Sequence, residues 1–234
     1  GIDYEHNRKD AEQNMVMSGS NKFLTYLWPG VETEKLGIFF EKDLGNISYG
    51  LRYDQVELDP TKAAEDAGGM MFKTANEVYS TDYDETIVAT KREYDNISGF
   101  LRFTKDIDPG ETYINLSVNE RAPDTTELFH AKWNASSEMM RHVGNPNLSS
   151  ERHMTIEVGY EGMLMGNHIT GSVYYNDVDD YITTHRNDDS AMKARLYKNV
   201  DAELYGYELS VHRLFAGIDL SLIHISEPTR RPII

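Results

Sequence analysis

HMTIEVGYEGMLMGNHITGSVYYND, residues 153–177, decides the fold. Its apolar residues alternate: Met154, Ile156, Val158 and Tyr160 share one face, and Thr155, Glu157 and Gly159 share the other. After the break at Gly162–Asn167 the same period of two resumes with Ile169, Gly171, Val173 and Tyr175. A period of two puts successive side chains on opposite faces of a strand. The stretch therefore predicts an antiparallel hairpin with one apolar face and one small or polar face.

The same pattern recurs on both sides. ISYGLRYD (47–54) sets Ile47, Tyr49, Leu51 and Tyr53 opposite Ser48, Gly50, Arg52 and Asp54. ETYINLSVNE (111–120) sets Ile114, Leu116 and Val118 opposite Asn115, Ser117 and Asn119. LYGYELSVHR (204–213) sets Tyr205, Tyr207, Leu209 and Val211 opposite Gly206, Glu208, Ser210 and His212. Helical periodicity is sustained almost nowhere. Turn signals lie near Asp43–Asn46, at DIDPG (106–110), at Gly162–Asn167 and near Phe215–Gly217. Between them run long polar connections at about 9–34, 58–92, 122–150 and 184–195.

Tight turns and long connections thus alternate strictly. That rhythm belongs to an all-β, antiparallel transmembrane β-barrel, with short periplasmic turns and long extracellular loops. Strands of ~9–11 residues suffice to cross a bilayer. The hairpin count gives about nine strands, an open sheet forming part of a larger barrel. A soluble β-sandwich would alternate too, but its apolar faces would have to meet in one core. The link rhythm and the tyrosines near strand ends favour the barrel.

Composition narrows the function. The 234 residues carry 39 acidic and 23 basic side chains, a net charge of −16. Such a chain has no basic face for phosphates, so nucleic acid is excluded as a partner. Fifteen Tyr and no Cys occur. The first suits apolar surface that meets water, and the second excludes disulfides and thiolate metal sites. No apolar run reaches the ~18 residues of a membrane-spanning helix. Nucleophile elbow, phosphate loop and HExxH patterns are all missing, which points away from an enzyme, with no catalytic residue and no catalytic cofactor.

Three segments carry a resemblance: VNERAPDTTELF (118–129), GNPNLSSERHMTIEVGY (144–160) and YKNVDAELYGYE (197–208). In this order and spacing they resemble the TonB-dependent outer-membrane receptors, as do KLGIFFEKDLG and ISYGLRYD upstream. NVDAELYGYE and the GFLRF strand (99–103) are most similar to the TonB-dependent copper receptors. The resemblance implies a location in the outer membrane of a Gram-negative bacterium and active uptake of copper or another metal. A ferric-siderophore receptor is the alternative, and a passive porin or adhesin barrel the alternative from another class. The implied partners are outer-membrane lipid, a metal or metal-chelate ligand, and the TonB complex through a plug region expected to lie outside this sequence. The signal peptide and the closing strand are likewise expected elsewhere.

Methionine placement adds a clue that does not depend on the resemblance. Six of the 10 Met fall in expected external loops: Met15, Met17, Met70, Met71, Met139 and Met140. Thioethers are soft ligands that prefer Cu(I), and imidazole suits copper as well. Met15 and Met17 would put two sulfurs on one side of an extended segment. Met139, Met140 and His142 form a second cluster, with His130 in the same loop. Met15, Met17, Met139, Met140 and His142 are the candidate metal ligands, for a transported copper ion or a ferric chelate.

The last stretch departs from all this. LSLIHISEPTR (220–230) resembles the translation of a sequencing-library adapter. The sequence therefore divides into 1–219, part of a receptor barrel, and 220–234, a non-native tail expected to stand apart from the fold.

Overall fold

The computed structural model describes residues 1–17, 20–66, 71–83, 86–133, 141–187, 193–215, 218–225 and 229–232. At 15–17, 20–23, 213–215, 218–225 and 229–232 only the backbone is described. Nine strands form one antiparallel path: β1 (Ile2–Met17), β2 (Ser20–Asp43), β3 (Ile47–Pro60), β4 (Arg92–Ile107), β5 (Gly110–Arg121), β7 (Glu151–Leu164), β8 (Asn167–Asn187), β9 (Ala194–Phe215) and β10 (Ile218–Ile225). Two short strands, β6 (Arg141–Val143) and β11 (Thr229–Pro232), pair with β9 off this path. Two helices lie in the long connections, α1 (Ala75–Asp82) and α2 (Thr125–Phe129). No described helix is long and apolar enough to cross a membrane.

The apolar faces do not meet in a second sheet. Leu51, Ile97, Ile114, Leu116, Ile156, Val158, Val173 and Leu209 stand exposed on one side of the sheet. Leu116 lies between Leu101 and Ile156 in the register, so the belt runs continuously from strand to strand. A band this wide is stable only against hydrocarbon. Tyr4, Tyr49, Tyr53, Tyr175, Tyr205 and Tyr207 are exposed on strands of the same sheet, and such amphipathic rings suit the boundary between hydrocarbon and lipid headgroups.

The opposite face is small and polar, and its large side chains lie over glycines. Tyr174 sits opposite Gly206 in the register. A Cβ at Gly206 would come within 2.6 Å of the Tyr174 hydroxyl. The missing side chain is what lets the ring lie flat against the wall. The lower rim is closed by tight turns. Met165 and Gly166, both at positive φ, link β7 to β8, the conformation a two-residue hairpin turn demands. At the β2–β3 turn the Asp43 carboxylate accepts from the Gly45 N–H at 2.7 Å.

Two expectations need correction. Residues 9–34 and 184–195 are not irregular loops: β1 and β2 stay paired up to Met17 and Ser20, and β8 and β9 up to Asn187 and Ala194. Above the bilayer both strand faces touch water or protein, so the apolar alternation stops although the ladder continues. Three register shifts in β1, between Lys9 and Asn14, mark the change. The tail does not stand apart either. Residues 218–225 pair with β9 from Phe215 to Glu208, and β11 continues along the same edge from Tyr205. LSLIHI has strand alternation, and an open edge accepts any chain that does.

Candidate functional site

The hydrophobic core of the described residues lies in the upper connections. Val31, Val56 and Leu58, from the upper ends of β2 and β3, pack with Val78 and Tyr79 of α1, Leu128 and Phe129 of α2, and Val143, Leu148, Ile182 and Leu196. The long loops therefore fold into a cap on top of the wall. In α1 the buried positions are Ala75, Val78, Tyr79 and Asp82, one stripe at helical spacing. Each helix starts with a capping box. Thr74 and Glu77 exchange side-chain-to-backbone hydrogen bonds, and so do Asp124 and Glu127.

The three receptor-like segments meet where cap joins wall. Arg121, at the top of β5, grips Glu127 through both terminal nitrogens at 2.8 and 3.1 Å and donates to Glu151 at 2.9 Å. Glu151, buried, also accepts from the Ile182 N–H at 2.6 Å. The Asn145 N–H donates to the Glu127 carbonyl at 2.7 Å, and its side-chain amide donates to the Tyr197 carbonyl at 3.1 Å. Asn199 and Ser149 exchange two more bonds, at 2.9 and 3.3 Å. The motifs that mark the family are thus a structural joint between loops and wall.

Burial alone would raise the Glu151 carboxyl, but hydrogen bonds from His153, the Ile182 N–H and Arg121 outweigh it and hold its pKa below the usual range. A carboxylate whose folded-state pKa is depressed stabilises the fold above its unfolded pKa and loses that contribution as pH falls. Acidifying the full-length receptor below about pH 4 should therefore loosen the cap. Both Trp of the chain, Trp28 and Trp133, pack against the cap core and report it by fluorescence. Glu151→Gln should weaken the cap at neutral pH and flatten the acid transition, and an unchanged transition would contradict this.

One ion pair lies inside the cap. Asp82 of α1 and Arg141 of β6 bond through both carboxylate oxygens at 2.6 and 2.8 Å, with side chains 0% and 1% exposed. The guanidinium lies 5.2 Å from the centre of the Trp133 ring. Burial pushes the Asp82 carboxyl up, while Arg141 pulls against that shift.

The candidate metal ligands are distributed around this cap. Met15 and Met17 lie in β1, opposite Lys22 and Ser20, near the end of the β1–β2 hairpin. Their side chains, and Met139 and Met140 altogether, fall outside the described residues. His142 is the middle residue of β6, half-buried, and points away from the core that Arg141 and Val143 enter. Burial lowers its pKa and, more strongly buried, that of His130. Neutral imidazole is the form that binds metal. His130, at the end of α2, sets Nδ1 2.7 Å from the His142 carbonyl oxygen and packs on Trp28 with ring centres 4.8 Å apart. The Lys9 ammonium also lies over the Trp28 indole, 4.0 Å from the ring centre. The hairpin and this segment are bonded together. Gln13 accepts from the Trp133 N–H at 3.0 Å, the Ala131 N–H donates to the Leu27 carbonyl at 2.9 Å, and Lys9 donates to Thr126 at 2.9 Å. Among the described residues, no three His, Asp or Glu side chains are grouped to hold a metal ion.

A belt of outward apolar side chains, a polar inner face, tight turns below and folded loops above define the wall of a transmembrane β-barrel. The chain belongs to the TonB-dependent receptors: the family described as TonB dependent receptor-like, beta-barrel, matches residues 1–224. Its members are transporters of the bacterial outer membrane. Among solved structures the chain is similar to the copper transporter OprC, with a TM-score of 0.67 and 21% identity over 96% of this chain and 33% of that one. The hemophore receptor HasR of Serratia marcescens, solved as a double mutant with its hemophore HasA and heme, gives 0.55 at 18% identity, over 96% and 42%. For the ferric enterobactin receptor PfeA the values are 0.53 and 14%, over 97% and 41%. The chain thus spans a third of OprC and about two fifths of the other two. These identities establish likeness of fold. No curated protein matches the chain.

Proposed function

We propose that this chain is barrel wall and outer cap of a receptor that captures copper outside the outer membrane and delivers it inward, powered through TonB. Met15 and Met17 supply soft donors from the β1–β2 hairpin. Met139, Met140 and His142 supply a second set from the connection that follows α2. The observation that carries the reading is the contact of the two donor-bearing elements, Gln13 on Trp133 and Leu27 on Ala131. The similar solved folds include copper, heme and siderophore proteins, so the cargo is argued from the donors. Thioethers bind at any physiological pH because they carry no proton to lose. The net charge of −16 adds a field that attracts cations, over the ~8 Å that salt leaves unscreened.

Replacing Met15 and Met17 together by Leu keeps bulk and removes both sulfurs. In the full-length receptor, purified anaerobically with Cu(I), the double variant should hold less copper at unchanged yield of folded barrel. Unchanged copper stoichiometry would overturn the copper assignment. Binding of a ferric chelate by the same preparation would move the assignment to the siderophore class.

A further inference from the structure

We infer that His130 is a metal ligand of this cap, binding through Nε2, and that His142 positions it through its main-chain carbonyl. This rests on the metal-capture reading above and names a donor that the methionine pattern does not supply. A carbonyl oxygen only accepts, so the 2.7 Å contact from Nδ1 requires the proton to sit on Nδ1. In the neutral ring Nε2 then carries the lone pair. Among the described residues Nε2 has no hydrogen-bond partner. Metal-binding histidines characteristically donate their second ring nitrogen to a carbonyl or carboxylate, which fixes the tautomer and the ring plane. His130 has that arrangement before any metal arrives.

The ring is also held in place. Trp28 packs against it, and Lys9 presses on the indole while bonded to Thr126 in α2. Trp28 belongs to β2, the same hairpin that carries Met15 and Met17. His130 therefore stands where the hairpin meets the segment leading to Met139 and Met140. The position of His142 agrees with its separate role: Gly144 returns an N–H to the His130 carbonyl at 2.7 Å. Residues 130–131 and 142–144 are thereby held in register, and the His142 carbonyl is aimed at the imidazole.

X-ray absorption at the copper edge of the Cu(I)-loaded full-length receptor tests this, because imidazole gives a distinctive outer-shell scattering pattern. The wild type should show it. His130→Gln should weaken it, and His142→Gln, which keeps the carbonyl, should remove only the share of the His142 ring and leave the His130 share in place. Tryptophan fluorescence of each variant checks that Trp28 and its cap are still packed. Copper bound with undiminished imidazole scattering in His130→Gln would overturn the inference alone. A pattern weakened in His142→Gln but undiminished in His130→Gln would overturn it and leave the His142 ring as the imidazole donor. A wild-type receptor that takes up no copper would overturn the capture reading itself, and this inference with it.

Discussion

Asp82→Asn, made in the full-length receptor, is expected to unlock the outer cap while leaving the wall intact. The pair it breaks is fully enclosed, with side chains 0% and 1% exposed. Asparagine keeps the shape but withdraws the charge, so the Arg141 guanidinium is left buried without its counter-ion. Removing one partner of a buried pair costs about 3–5 kcal/mol, which exceeds what a small cap built on two short helices can absorb. Increased hydrogen exchange across residues 75–83 and 141–143, and a red-shifted Trp133 emission, should report the loss. Exchange in β5 and β7 should stay slow. A double replacement, Asp82→Leu with Arg141→Met, removes both charges and should recover most of the protection, because an apolar pair of similar size is often as stable as the ion pair. If Asp82→Asn leaves the cap as protected as the wild type, the pair does not hold it together.

The wall is legible in the sequence because physics constrains every residue of it. Between lipid and lumen each strand must show apolar and polar side chains in strict alternation, and a slip of one residue would put Glu157 or Asn115 into hydrocarbon. The alternation therefore assigns Leu51, Ile114 and Ile156 to one face, and the turn signals at 43–46, 106–110 and 162–167 fall within a residue or two of the breaks between strands. The upper connections follow no such rule. Residues 9–34 look like a loop because polar side chains occupy both faces, although the backbone ladder runs on to Met17. Helix α1 has one stripe of four buried positions, but one of these is Asp82, and a charge in an apolar stripe hides the period. Its meaning depends on Arg141, 59 residues away. Nothing local announces that partner. TANE (74–77) and DTTE (124–127) do carry a local start signal for both helices, an N-cap residue followed three positions later by Glu.

The candidate site divides in the same way. Methionine chemistry picks out Met15, Met17, Met139 and Met140 by type alone, without geometry. His142 is singled out by its neighbours in sequence. His130 is not, because its qualification is a hydrogen bond to a carbonyl 12 residues on and a ring contact with Trp28 on a distant strand. The three family-like segments read as wall from the sequence. Their shared task, joining cap to wall through Arg121, Glu127, Glu151 and Asn145, emerges only when they are brought together.

The apolar face of the sheet meets lipid and the other face meets the lumen, and everything said of metal capture depends on that arrangement. Leu116 and Asn119 test it within a single strand. Leu116 lies at mid-strand on the apolar face, 42% exposed, and Asn119 lies on the opposite face and is also exposed. Arginine at a lipid-facing position near the midplane costs about 2–4 kcal/mol, whereas lumen positions accept charge. Equilibrium unfolding of the full-length receptor from lipid vesicles, compared for Leu116→Arg and Asn119→Arg, is the direct measurement. The expected result is a loss of about 2–4 kcal/mol for Leu116→Arg and a change within about 0.5 kcal/mol for Asn119→Arg. Equal costs for the two variants, or a Leu116→Arg receptor as stable as the wild type, would contradict the assignment of the two faces.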